Sequence, residues 1–146
     1  MEREFSTISE LKNIREQKSR LSERESELSA PLLTDLELIP EIYRWFAEIL
    51  AGMDFPPCLE SVTQRKKFLF IILFLYSPST LAGGKMLCGL RDKLCEVTNI
   101  TSKSTISDNC ADVVFMYQNY KNFRKDIDYL YTEIINRLKV KELIKM

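Results

Sequence analysis

Nine consecutive apolar or aromatic residues, Phe68 to Tyr76, constrain this chain more than any other stretch, because no period places a polar face among them. Such a run is either a strand buried on both sides or a helix sheathed by other helices, and periodicity alone does not separate the two. The flanks decide for a helix. Ser61 or Thr63 supplies a cap, Arg65 to Lys67 keep the first turns soluble, and Ser77-Pro78 ends it after about four turns. A membrane span needs roughly 20 apolar residues, so this run predicts a core helix and no membrane partner. Everything around it must supply apolar faces to cover it.

With 146 residues there is room for one domain and an extension, and 45% apolar against 29% charged residues with four glycines is an ordinary helical composition. Net charge is zero, yet residues 1–60 hold 7 Lys+Arg against 13 Asp+Glu, and residues 61–146 hold 14 against 8. That polarity implies a basic surface for a polyanion, mutual attraction of the halves, or solvated charged faces. Cys58, Cys88, Cys95 and Cys110 lack CxxC spacing and the chain has no histidine, so no metal site is expected and the commonest general base is missing. No carboxylate pair or nucleophile–base pair stands at a diagnostic spacing, so the expectation is a non-enzymatic protein without cofactors. The N-terminus reads as neither a signal nor a transit peptide, which predicts reduced thiols and a cytoplasmic setting.

Residues 1–30 read as an acidic helical arm. Leu11, Ile14, Leu21 and Leu28 lie on one stripe, and taking the last three as d positions puts Leu11, Lys18 and Glu25 at a. This is a weak coiled-coil seam, suited to homodimerisation, to a loose arm lying on its own domain, or to an arm that frays, with pairs such as Glu16 and Arg20 supporting the helix. Ala30-Pro31 breaks it, and residues 31–146 form the globular domain. A second helix begins near Pro40 and ends before Gly52, with Ile42, Tyr43, Trp45, Phe46, Ile49 and Leu50 giving it a broad core face. Pro56-Pro57 makes a rigid connector. Residues 79–85 read as a loop whose Gly83-Gly84-Lys85 lacks the GxxxxGK[ST] pattern and follows a helix, so Lys85 is at most a phosphate contact.

Leu87 to Asn99 predicts a short helix interrupted by Gly89, followed by a polar turn and a long helical pattern through Val113, Val114, Tyr117 and Tyr120. That is the layout of a helix-turn-helix over about 87–120. Cys95 is small enough for close helix approach, Asn99 supplies a left-handed residue, Ile100 plugs the corner and Ile106 anchors the second helix. Ile106 falls one residue later than in regulator-type segments. Candidate DNA-binding residues are Lys85, Arg91, Ser102, Lys103, Ser104, Thr105, Ser107 and Asn109, since short hydroxyl and amide side chains suit base edges and phosphate oxygens. Asp108 and Asp112 oppose a phosphate backbone, and Thr105, Ser107 or Asp108 also serve as helix caps. If Arg65, Lys66, Lys67, Lys121, Arg124 and Lys125 converge on the side of Lys103, the surface is a nucleic-acid footprint; if they scatter it is not, and the competing reading is a purely structural helical corner. Residues 123–138 continue the helical pattern and bring the closing apolar face; their tyrosines read as packing rather than a base-stacking platform. The tail from Val140 frays.

The stretches RKKFLFIILFLYSPSTLAGGKM, GLRDKL and ISDNCADVVFMYQNYKNFRKDIDYLY resemble small proteins carried by prophages and mobile elements of gut bacteria related to Bacteroides. The resemblance covers about half of the chain and implies a phage or mobile-element setting without a mechanism. A looser likeness is to the helical DNA-binding end of replication initiators, although the basic, histidine-containing signature of that group is missing here.

The sequence therefore predicts an all-α fold: a compact helical bundle around a buried central helix, with a helix-turn-helix-like corner and an N-terminal helical arm. The leading functional expectation is DNA binding in replication, packaging or regulation of a mobile element. The alternative is a protein-interaction or virion-assembly protein that makes no nucleic-acid contact.

Overall fold

The computed structural model describes residues 2–59 and 61–144, and these contain helices and no strand. The chain divides into two compact units, residues 1–30 and residues 31–146.

The first unit is one helix, α1 (Glu2–Leu28). Its described side chains from Phe5 to Leu28 are all exposed, including Leu11, Ile14, Leu21 and Leu28, and Phe5 and Ile8 are exposed as well. The ion pair found on this helix is Arg24–Glu27 at 3.0 Å, not the Glu16–Arg20 pair expected from spacing.

The second unit is a bundle of α2 (Ile39–Ala51), α3 (Val62–Tyr76), α4 (Pro78–Leu81), α5 (Leu90–Thr98), α6 (Lys103–Asn119) and α7 (Lys121–Val140). A 3-10 turn, Leu36–Leu38, leads into α2 and is capped by the Asp35 side chain. Pro40 sits in the first turn of α2, where a missing N–H costs nothing, and Gly52 closes it.

At the centre stands α3. Ser61 caps it by accepting from the Gln64 amide, and Ser77 ends it before Pro78. Phe68, Ile71, Ile72, Leu73 and Leu75 have no exposed surface, because α2, α6 and α7 pack around them. Two details depart from the expected pattern. Phe74 is 42% exposed within the apolar run, edge-on to Tyr131. Lys67, expected to make the first turns soluble, is buried, and its Nζ lies 2.7 Å from Asp126 of α7.

The long pattern to Tyr120 and the closing pattern from residue 123 form two helices, α6 and α7. Tyr120 is extended between α6 and α7, and the break has a clear partner: Arg124 of α7 donates from Nε to the Tyr117 carbonyl and from its terminal nitrogen to the Gln118 carbonyl. Those carbonyls are among the four that an α-helix leaves unsatisfied at its C-terminus, and a guanidinium there also meets the negative end of the helix dipole. Phe123, Ile127, Leu130, Ile134 and Leu138 of α7 then turn inward. Arg137 ties α7 to Glu48 of α2 at 2.8 Å. Beyond Val140, residues 141–144 form a final turn, with Leu143 donating to the Leu138 carbonyl; residues 145 and 146 of the expected fraying tail lie outside the described residues.

Candidate functional site

The α5–α6 corner follows from a few residues. Gly89 is not inside a helix, as the sequence reading had it, but caps α5 at φ 85°, where a Cβ would meet the Leu36 side chain at 3.3 Å. Its cost as a helix-interior glycine therefore disappears, and its left-handed backbone is what starts the helix here. At the other end Asn99 is left-handed at φ 60°, and the Ile100 amide reaches back to the Cys95 carbonyl at 3.1 Å. Ile100 and Ile106 are buried on the two sides of the turn, with Cys95 half-buried between the helices.

Beside this corner, the loop after α3 is short and well tied. Pro78–Leu81, read from sequence as loop, forms the helical turn α4. The Ser77 hydroxyl, buried at its base, lies 2.8 Å from the Thr80 hydroxyl and accepts from the Leu87 amide, while Thr80 donates to the Lys85 carbonyl. These bonds place Lys85. Gly84 must be glycine, since a Cβ there would sit 2.9 Å from the Ser79 carbonyl oxygen. The Gly83 and Gly84 amides donate to the Thr80 and Ser79 carbonyls, so they are spent within the turn and form no phosphate cradle.

Between this loop, Arg91 of α5 and one face of α6 runs a groove of about 650 Å³. It is lined by Thr80, Gly83, Gly84, Lys85 and Arg91 on one side and by Ser107, Cys110, Ala111 and Val114 on the other, and among the described residues no carboxylate lines it. Burial pushes the Cys110 thiol up, with the Arg91 guanidinium opposing that shift. The groove thus combines two cations, a hydroxyl and an apolar floor, which suits an anionic ligand with an apolar or planar portion.

Of the eight candidate DNA contacts, Lys85, Arg91 and Ser107 come together in this groove. The others do not. Lys103 is paired with Asp92 at 2.7 Å, and that hydrogen bond raises its ammonium above the usual lysine value. Ser102, the N-cap residue of α6, makes no capping bond; its hydroxyl lies 2.7 Å from that of Ser104. Thr105 and Asn109 are half-buried on α6 without lining the groove. Of the proposed caps, Ser107 instead donates to the Lys103 carbonyl at 3.4 Å.

Several of the cations that were to decide for or against a footprint have partners of their own. Lys66 pairs with Asp112, Lys67 with Asp126, and Arg124 caps α6. Arg65, Lys121 and Lys125 do not line the groove. Sequence reasoning missed Thr80 and Cys110 as groove residues. The Gly83-Gly84 pair was the available signal for a tight turn there, but which helix face it meets is a tertiary fact. Tyr117 stacks on Phe70 at 4.6 Å and donates to Asp128, leaving no open stacking platform there, whereas Tyr120 and Tyr129, expected to pack, are exposed, Tyr120 lying edge-on to the exposed Phe115.

Among the described residues no group of three or more His, Cys, Asp or Glu is arranged to hold a metal ion, and no helix is long and apolar enough to cross a membrane. Comparison with protein-family models, curated proteins and solved structures gives no match.

Proposed function

We propose that this chain is a small DNA-binding protein of a phage or mobile element, acting in the cytoplasm, and that it holds phosphate at the groove beside the α5–α6 corner. The observation that carries this reading is the groove that Lys85 and Arg91 line together at the edge of a helix-turn-helix-like corner, with no carboxylate among its described lining residues. Duplex DNA presents a phosphate on each strand every 3.4 Å, and two cations beside a polar helix face are the minimal means of gripping it. The Ser102–Ser104 hydroxyls at the start of α6 then lie on the element that would approach base edges.

The test is a titration of the full chain against mixed-sequence duplex DNA at low and moderate salt. Salt-sensitive binding that a Lys85→Glu/Arg91→Glu variant loses, while it stays folded by circular dichroism, supports the proposal. Absence of binding at low salt from a monodisperse sample refutes it. One observation favours the second reading, a protein-interaction or virion-assembly role without nucleic acid: Phe74 stands 42% exposed within the apolar run of α3, over a notch of about 150 Å³ that Phe70 and Tyr131 also line. Failure of the DNA titration moves the work to that face.

A further inference from the structure

We propose that α1 pairs with α1 of a second copy of this chain, in antiparallel orientation, independently of whether the groove binds DNA. The 27-residue helix is about 40 Å long, yet no described side chain from Phe5 to Leu28 is buried. Ile14 is 41% and Leu21 69% exposed. A helix of this kind, with the exposed Arg24–Glu27 pair as its one ion pair among the described residues, gains little from its own side chains. It needs a partner for the seam formed by Leu11, Ile14, Leu21 and Leu28.

The two charges on that seam identify the partner and its direction. Lys18 and Glu25 occupy a positions, at the heart of any coiled-coil contact. In a parallel dimer each would face itself, Lys18 against Lys18 and Glu25 against Glu25, which places like charges at two successive a layers, with only Leu21 between them. Sliding one helix by a heptad matches one Lys18 with one Glu25, but leaves the second pair unmatched and the interface heterologous, so it does not close as a dimer.

Reversing one helix removes the conflict. With Leu11 facing Leu28 of the second copy, Ile14 faces Glu25 and Lys18 faces Leu21. Lys18 then stands one helical turn from Glu25 of the second copy, within reach of two long side chains whose stems lie along Leu21 and Ile14. The two-fold axis repeats this pair, so both seam charges on both helices are matched, over an overlap of about 27 Å. Flanking positions bring Arg24 near Gln17 and Arg15 near Ser22, so no like charges meet there.

Sedimentation velocity of the full chain over a dilution series tests this directly. The parent chain sediments as a dimer, and Leu21→Asp dissociates it. Lys18→Glu and Glu25→Lys each put like charges into both symmetric pairs and weaken the dimer by about tenfold or more. The Lys18→Glu/Glu25→Lys double variant swaps the two charges and restores the dissociation constant to within about threefold of the parent. In a parallel dimer the single variants would exchange one like-charge layer for another and change little. A monomeric parent, a dimer indifferent to Leu21→Asp, or a double variant as weak as the singles overturns the proposal. The restored double variant also separates loss of pairing from loss of the helix, which circular dichroism reads independently.

Discussion

Lys67 offers a sharp test of how the bundle is held together, because its buried ammonium has one partner among the described residues, Asp126. The residue is 7% exposed, and its Nζ lies 2.7 Å from a carboxylate whose side chain is 49% exposed. At that distance the gross attraction is about 6 kcal/mol with an effective dielectric of about 20, most of it offset by the cost of taking the ammonium out of water. The two ends of the pair are therefore unequal. Removing Asp126 strands a buried cation, and since water reaches the carboxylate side, the usual cost of about 3–5 kcal/mol for a fully buried pair falls to about 2. Lys67→Met instead removes the buried charge, keeps a flexible apolar stem in place and leaves Asp126 free to hydrate, so its cost is within about 1 kcal/mol. Urea unfolding measures both. With an m-value of about 1.5 kcal/mol/M, Asp126→Ala lowers the midpoint by more than about 1 M, Lys67→Met by about half of that or less, and the double variant resembles Lys67→Met. If Lys67→Met costs as much as Asp126→Ala, the pair is a net Coulombic stabiliser and the desolvation argument fails.

Three further outcomes are expected. Asn99→Gly leaves thermal stability nearly unchanged, whereas Asn99→Val costs about 1–2 kcal/mol, because a β-branched residue is strained at φ 60°; equal melting temperatures would contradict the role given to this turn. Gly84→Ala forces its Cβ onto the Ser79 carbonyl oxygen, so the loop shifts and DNA affinity falls by roughly the same factor as for Lys85→Ala; unaltered affinity would detach the loop from binding. Burial first of all raises the Tyr76, Tyr117 and Tyr131 phenols above the ordinary value of 10.0. The folded state then keeps protons that the unfolded state releases, so stability holds below pH 10 and declines as pH rises above it; Tyr76→Phe, which loses the 2.7 Å bond to the Asp35 carbonyl, lowers stability at neutral pH but flattens that alkaline decline.

The all-helical bundle was legible because its signals are local and redundant. An apolar run bounded by Ser61 and Ser77-Pro78 has one economical solution, and the spacing of Trp45 and Phe46 or of Ile127 and Leu130 already says which helices sheath it. Asn99 was legible for the same reason, since few residues tolerate a left-handed backbone. The misread points are those where a charged residue has a structural partner far away in sequence. Lys67 and Asp126 are 59 residues apart, and nothing local distinguishes Lys67 from a solvated lysine. Arg124 looked like a surface cation because the carbonyls it caps belong to a helix end that the continuous pattern through Tyr120 concealed. Gly89 was misplaced by a helix boundary, for periodicity marks the body of a helix better than its first residue.

This consumption of cations bears directly on how the protein would bind DNA. The excess of positive charge in residues 61–146 suggested a broad footprint, yet Lys66, Lys67 and Lys103 each hold a carboxylate and Arg124 holds backbone carbonyls. To grip phosphate, each would first have to give up that partner. Lys85 and Arg91 line the groove and have no ion pair among the described residues. Two phosphate contacts correspond to a slope of about −1.8 in log affinity against log salt, or roughly a tenfold loss from about 50 to about 200 mM, whereas all nine cations considered from sequence would give about −8. Arg91→Ala should flatten the slope by about 0.9, and Lys103→Ala should leave it nearly unchanged, because Asp92 already neutralises that ammonium. A slope steeper than about −5, or one on which Lys103 weighs as heavily as Arg91, would mean that the ion pairs open on DNA and that the groove is not the grip.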